Sequence, residues 1–179
     1  MKNIGFAKRF TARFTPKSTV SYIAHRYISA FASPVRPKIQ HLCDSRDRNT
    51  LWWRVSVGDI NGQKRVVRSW CARRLRSAFI QELAARGFDK DGRRLNSDVD
   101  CGFPGNMTGT LYLEVSPACM RGAWPALREE VKVTMAALIQ EQQAMRIAQK
   151  NRQQRTPQSR APRKAARGRY ANEGLLSPG

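Results

Sequence analysis

The residues of this sequence best equipped for chemistry are arginines. In the stretch RVVRSWCARRLRSAF, Arg65, Arg68, Arg73, Arg74 and Arg76 are threaded between Val, Trp, Leu and Phe, with no acid among them. A guanidinium group is planar and permanently charged, and its fork of donors matches phosphate oxygens two at a time and stacks on flat rings. Such a set recognises anions; it does not make or break bonds. With about 100° of turn per residue, Val67, Cys71, Leu75, Ala78 and Phe79 fall on one stripe of a helix, while Arg65, Ser69, Arg73 and Arg76 gather on another. Glu82 is the sole acid between Arg65 and Arg86, so the mixed-sign pairing of an ordinary solvated face is missing. Unmixed charge on an ordered helix costs repulsion unless an anion arrives. A phosphate-binding face is therefore expected at Arg65, Arg68, Ser69, Arg73 and Arg76. Trp70, on its border, either stacks a base or closes the edge of the core.

The elements that must position this helix belong to a chain of 179 residues, 41% of them apolar, which suits one ordinary domain with tails. Lys and Arg outnumber Asp and Glu 33 to 13, a formal net charge of +20. That balance draws the protein to polyanions, and the predominance of arginine favours nucleic acid. Cys43, Cys71, Cys101 and Cys119 form no CxxC, and His25 and His41 complete no metal-ligand spacing. Four reduced thiols are expected, with no cofactor or metal held by the protein. Asp89, Asp91, Asp98 and Asp100 miss the spacing of a calcium loop. Phosphate-binding and nucleophile-elbow signatures are missing too, so a chain that catalyses alone is not expected. No run reaches the roughly 18 apolar residues of a membrane span.

The first acid is Asp44, and ahead of it lie basic, hydroxyl-bearing and apolar residues. Residues 1–33 read as a mitochondrial transit peptide, or as a disordered basic arm that stays attached and touches nucleic acid. Residues 144–179, basic and poor in large apolar groups, read as a disordered basic tail. The span 34–143 between them is expected to be the folded domain. Lys38–Cys43 and 50–57 read as strands, with Trp52 or Trp53 pointed away from the core by alternation and offered for base stacking. A helix over 65–86 ends at Gly87. A loop over 88–108, a strand over 109–117 and a second long helix over 123–143 complete a ββαβα order.

The valine pair Val66-Val67, the arginines Arg68, Arg73 and Arg76, and Phe79 are arranged as in a known helix signature. Downstream, LYLEVSP and WPALREEV keep Pro117, Trp124, Leu127 and Arg128 in register with it. Over about residues 38–140 the chain resembles the protein subunit of bacterial-type ribonuclease P. Ser69 stands where that signature has Asn, Trp70 where it has a second Arg, Ala72 for Lys and Ser77 for Glu. The resemblance implies an α+β fold, a small sheet packed with two long helices, in which sheet and arginine helix present RNA-binding surfaces. It further implies an accessory subunit whose RNA partner does the chemistry and holds the Mg ions, assisting tRNA 5′ processing. RNA is the expected partner, whether a tRNA precursor, a ribonuclease P-like RNA or ribosomal RNA, in the mitochondrial matrix. The alternative is a structural protein of the mitochondrial ribosome, and a third reading is a nuclease dependent on the loop aspartates.

Overall fold

A computed structural model describes residues 1–95, 103 and 105–154. Eight regular elements follow one another: β1 (Lys2–Phe6), β2 (Phe10–Thr15), α1 (Tyr22–Ser29), α2 (Arg36–Asp44), β3 (Leu51–Ser56), α3 (Arg65–Ala85), β4 (Gly109–Val115) and α4 (Trp124–Gln154). The four strands form one mixed sheet in the order β1-β2-β4-β3, an α+β architecture. β2 runs antiparallel to β4, Phe10 opposite Val115, and β3 runs parallel to β4, Leu51 opposite Gly109. Parallel neighbours need a crossover, and α3 supplies it.

Alternation decides which side chains reach the core. Phe10, Ala12 and Phe14 from β2, Leu111, Leu113 and Val115 from β4 and Leu51 from β3 meet Cys71, Leu75, Ala78, Phe79 and Leu83 of α3. Leu127, Val131, Met135 and Leu138 of α4 close the same cluster. Gly109 enters β4 with φ +94°, and a Cβ there would lie 2.6 Å from the Thr15 carbonyl, so only glycine lets β4 come this close to β2.

The opposite face of the sheet carries Trp52, Arg54, Thr110, Tyr112 and Glu114 and is covered by the α1–α2 hairpin. Neither helix of that hairpin has a fully buried residue. Open spaces of about 340 and 430 Å³ remain between hairpin and sheet.

Three expectations are corrected. Residues 1–33 are not a disordered arm: β2 lies between β1 and β4, and Phe10, Ala12 and Phe14 are buried. A leader cleaved at their far end would take both β1 and β2 out of the sheet. The domain therefore does not begin at residue 34. Lys38–Cys43 is not a strand but part of α2, which Pro37 opens. Ile39, Leu42 and Cys43, spaced at i, i+3 and i+4, all line the space over the sheet. Helix α4 continues to Gln154, so 144–154 is helical and not part of a disordered tail. The order is accordingly ββααβαβα. The rest of the expected tail, 155–179, and Cys101 lie outside the described residues, as do 96–102 and 104 of the expected loop.

Candidate nucleic-acid interface

Helix α3 is held on one side so that its other side is presented. Leu75, Ala78 and Phe79 sit in the core, and Phe79 meets the Trp53 ring at 4.7 Å between centroids. Cys71 lies against Cys119 in the turn after β4; burial pushes both thiols up, Cys119 to about 11, its neighbour Cys71 adding to the shift. Arg74 also turns inward, donating to the carbonyls of Gly122 at 2.6 Å and Cys119 at 3.4 Å. Arg86 donates to the Lys132 carbonyl of α4 at 3.1 Å.

Residues Arg65, Arg68, Ser69, Ala72, Arg73 and Arg76 follow the i, i+3, i+4 rhythm of one helix face. Together with Val55 and Val57 they line an open groove of about 490 Å³ along the edge formed by β3. No carboxylate among the described residues lines it. Among the described residues none of these four arginines makes an ion pair. Arg73 Nε donates only to its own helix, at the Ser69 carbonyl, 3.4 Å away. Arg68 is half-buried, and its Nε is shielded from solvent without any hydrogen-bond partner. An unpaired buried donor is costly, and a phosphate oxygen would satisfy it.

The start of α3 adds to the field. Its first turn has no acidic residue, and Lys64 at the cap position gives no side-chain cap. The free amide groups and the positive end of the helix dipole thus sit beside Arg65 and Arg68, where a helix ordinarily places an acid.

The expected site residues divide. Arg65, Arg68, Ser69, Arg73 and Arg76 are brought together in the groove. Trp52 points to the opposite sheet face, where its Nε1 donates to the Asp47 carbonyl at 2.9 Å and Arg46 lies over its ring at 4.8 Å. Trp53 packs on Phe79 and donates to the Lys90 carbonyl at 2.8 Å. Both tryptophans thus have structural partners. Trp70 is 44% exposed, flanked by Arg74.

Arg54 and Tyr112 escaped the sequence reading. The Arg54 guanidinium lies 5.0 Å from the Tyr112 ring centre, at the space beneath the hairpin, with Arg13 and His25 nearby. Alternation in TLYLEV, with Tyr112 between two core leucines, was the available signal. Of the loop aspartates, Asp89 Oδ1 accepts from the Lys90 amide at 2.6 Å and the Asp91 carbonyl accepts from the Leu51 amide at 2.9 Å; Asp98 and Asp100 lie outside the described residues. No helix among the described residues is long and apolar enough to cross a membrane. Comparison with protein-family models, with curated proteins and with solved structures yields no match for this chain.

Proposed function

We propose that the protein binds RNA by its phosphates in the groove between α3 and the β3 edge, with Arg65, Arg68, Arg73 and Arg76 as the contacting cations. The observation that carries this reading is four guanidinium groups lining one open groove with, among the described residues, no acid in it and no ion pair to any of them. Cations arranged to neutralise phosphates release condensed counterions, which makes binding steeply salt-dependent. The described lining of the groove is arginine, serine, alanine and valine, a set suited to holding phosphates. In this reading the protein's part is to hold RNA, and cleavage falls to an RNA partner with its Mg ions.

The resemblance to the ribonuclease P protein subunit makes a tRNA precursor or a ribonuclease P-like RNA the first partner to seek, and a role in tRNA 5′ processing the first to test. Ribosomal RNA is the alternative. The deciding variant is the fourfold R65A/R68A/R73A/R76A protein, titrated with structured RNA across a range of salt. Its affinity should fall for every RNA tested, and the slope of log K against log salt should shrink by about 3–4, near one unit per lost phosphate contact. Unchanged affinity and slope in a protein that still folds would reject the groove. Crosslinking and sequencing of RNA bound to the tagged protein in its own cells then separates tRNA precursors from ribosomal RNA.

A further inference from the structure

The groove accounts for phosphates but not for Trp70. Its ring lies outside the groove lining and outside the core cluster, and 44% of the residue is exposed. Val66 and Ile80 of α3 are exposed as well, so exposure alone does not set Trp70 apart; the way its ring is held does. The Arg74 guanidinium lies 4.8 Å from its centre and 5.8 Å from that of Trp124, so Arg74 bridges the two tryptophans. Arg74 is itself fixed by its bonds to the Gly122 and Cys119 carbonyls. A cation bound to one ring face stabilises the indole through its quadrupole and prevents that face from taking any other ligand. The remaining surface is oriented before a ligand arrives, and preorganisation lowers the entropy lost on binding.

Position adds the second half. Trp70 and Arg73 are three residues apart on α3, so their Cβ atoms are neighbours at about 5–6 Å. Arg73 lines the phosphate groove. Base and phosphate of one nucleotide are joined through a single sugar, so a stacking ring and a phosphate-binding cation that neighbour each other on one helix can engage the same nucleotide.

Resting on the RNA reading above, we propose that Trp70 is a stacking platform for an unpaired base whose own backbone is held at Arg73, so that the groove selects single-stranded or looped RNA over duplex. Bases inside a helix are stacked on both sides and cannot lie on a protein ring, whereas loop and bulge bases can. Stacking tolerates every base because each has a π face, so the preference is for unpaired structure and not for sequence.

The test compares W70L, which keeps apolar bulk but loses the π face, with W70F, which keeps both. Binding of a short single-stranded RNA, the same strand in a duplex, and the same strand with its bases removed at successive positions is measured by fluorescence anisotropy. The thermal midpoint of each variant is recorded as a check on folding. W70L should weaken the single strand about 5- to 140-fold while duplex affinity stays within a factor of two. W70F should retain most of the affinity, and one abasic position should weaken wild type while leaving W70L unaffected. Equal losses for single strand and duplex, or no loss for either, would make Trp70 a packing residue and overturn the proposal. If the fourfold arginine variant still loses binding, the RNA reading survives that result. If that variant binds like wild type, both fall together.

Discussion

The cations of the first two strands and those of α3 look alike in sequence and live differently in the fold. Lys2 meets Glu141 at 2.7 Å, Arg9 is paired with Glu130 and Arg13 with Glu114, so three of the four basic residues of 1–15 reach across to an acid of α4 or β4, Lys8 being the exception among the described residues. The Arg9 backbone amide also donates to Glu130 Oε2, at 3.2 Å. Along α3, by contrast, the four groove arginines find no carboxylate among the described residues. Lys2, Arg9 and Arg13 are therefore mortar between neighbouring elements, while Arg65, Arg68, Arg73 and Arg76 of α3 are left available. Charge alone cannot tell the two apart; the location of the acids can.

The sharpest way to break this contrast is to remove residues 1–15. If the first strands belong to the fold, the truncated chain loses both β1 and β2 from the sheet, along with buried Phe10, Ala12 and Phe14. The two phenylalanines alone account for about 6–10 kcal/mol, comparable with the whole net stability of a typical domain, before the lost strand pairing is added. The expected outcome is a chain without cooperative thermal unfolding or the near-ultraviolet signal of packed tryptophans. A truncated protein that melts like the full chain would return the segment to the status of a removable arm.

A smaller effect separates paired from unpaired cations. Glu130→Ala leaves Arg9 part-buried without its carboxylate, and Arg9 Nε already has no partner. A loss of about 2–3 kcal/mol in urea unfolding is expected, the scale of a hydrogen bond to a charged group. RNA affinity should stay unchanged. Arg13→Ala, at a pair nearer the solvent, should cost less than about 1 kcal/mol. Neutralising groove arginines should show the reverse, a change in affinity with little change in stability. If Glu130→Ala weakened RNA binding while the fold stayed intact, the division between the two groups of cations would not hold.

The mildest probe reads the buried side of α3. Thiolate is the reactive form of cysteine, and a raised pKa leaves less of it at a given pH. Cys71 and Cys119 are buried with pKa values pushed up, while Cys43 is only partly buried. At pH 8 iodoacetamide should label Cys43 well before either of the other two, with site occupancy read by peptide mass. Denaturant should erase the order. Early labelling of Cys71 in native protein would mean that α3 is not seated on the core.

How far the sequence was legible follows from the range of the signals. Helix α3 was legible because its apolar stripe and its acid-free arginine face are both local, and Arg65, Arg68, Ser69, Arg73 and Arg76 do line one groove. Strands β3 and β4 carried dense β-formers and were placed to within two residues. FTARFT alternates just as plainly, with Phe10, Ala12 and Phe14 inward, but the absence of acids over that stretch suggested a leader. The compensating acids lie more than a hundred residues on, at Glu114, Glu130 and Glu141, where no local window sees them. Lys38–Cys43 was misread because a six-residue run does not separate a period of two from one of 3.6. The partners of Trp52 and Trp53 were hidden for a different reason: both are backbone carbonyls of loops, at Asp47 and Lys90, and loop paths are not written in alternation.

The strand order β1-β2-β4-β3 also sets a timetable. During synthesis β1 and β2 emerge first, yet the neighbour that joins them to the rest of the sheet is β4, with Phe10 opposite Val115. Two strands alone are at best marginally stable in water, and long-range pairing must meet its loop-closure entropy before it is rewarded. A nascent chain ending before Gly109 should thus expose its basic first strands, their amides unprotected against hydrogen exchange, until the final strand is delivered and the sheet closes from both ends of the sequence at once.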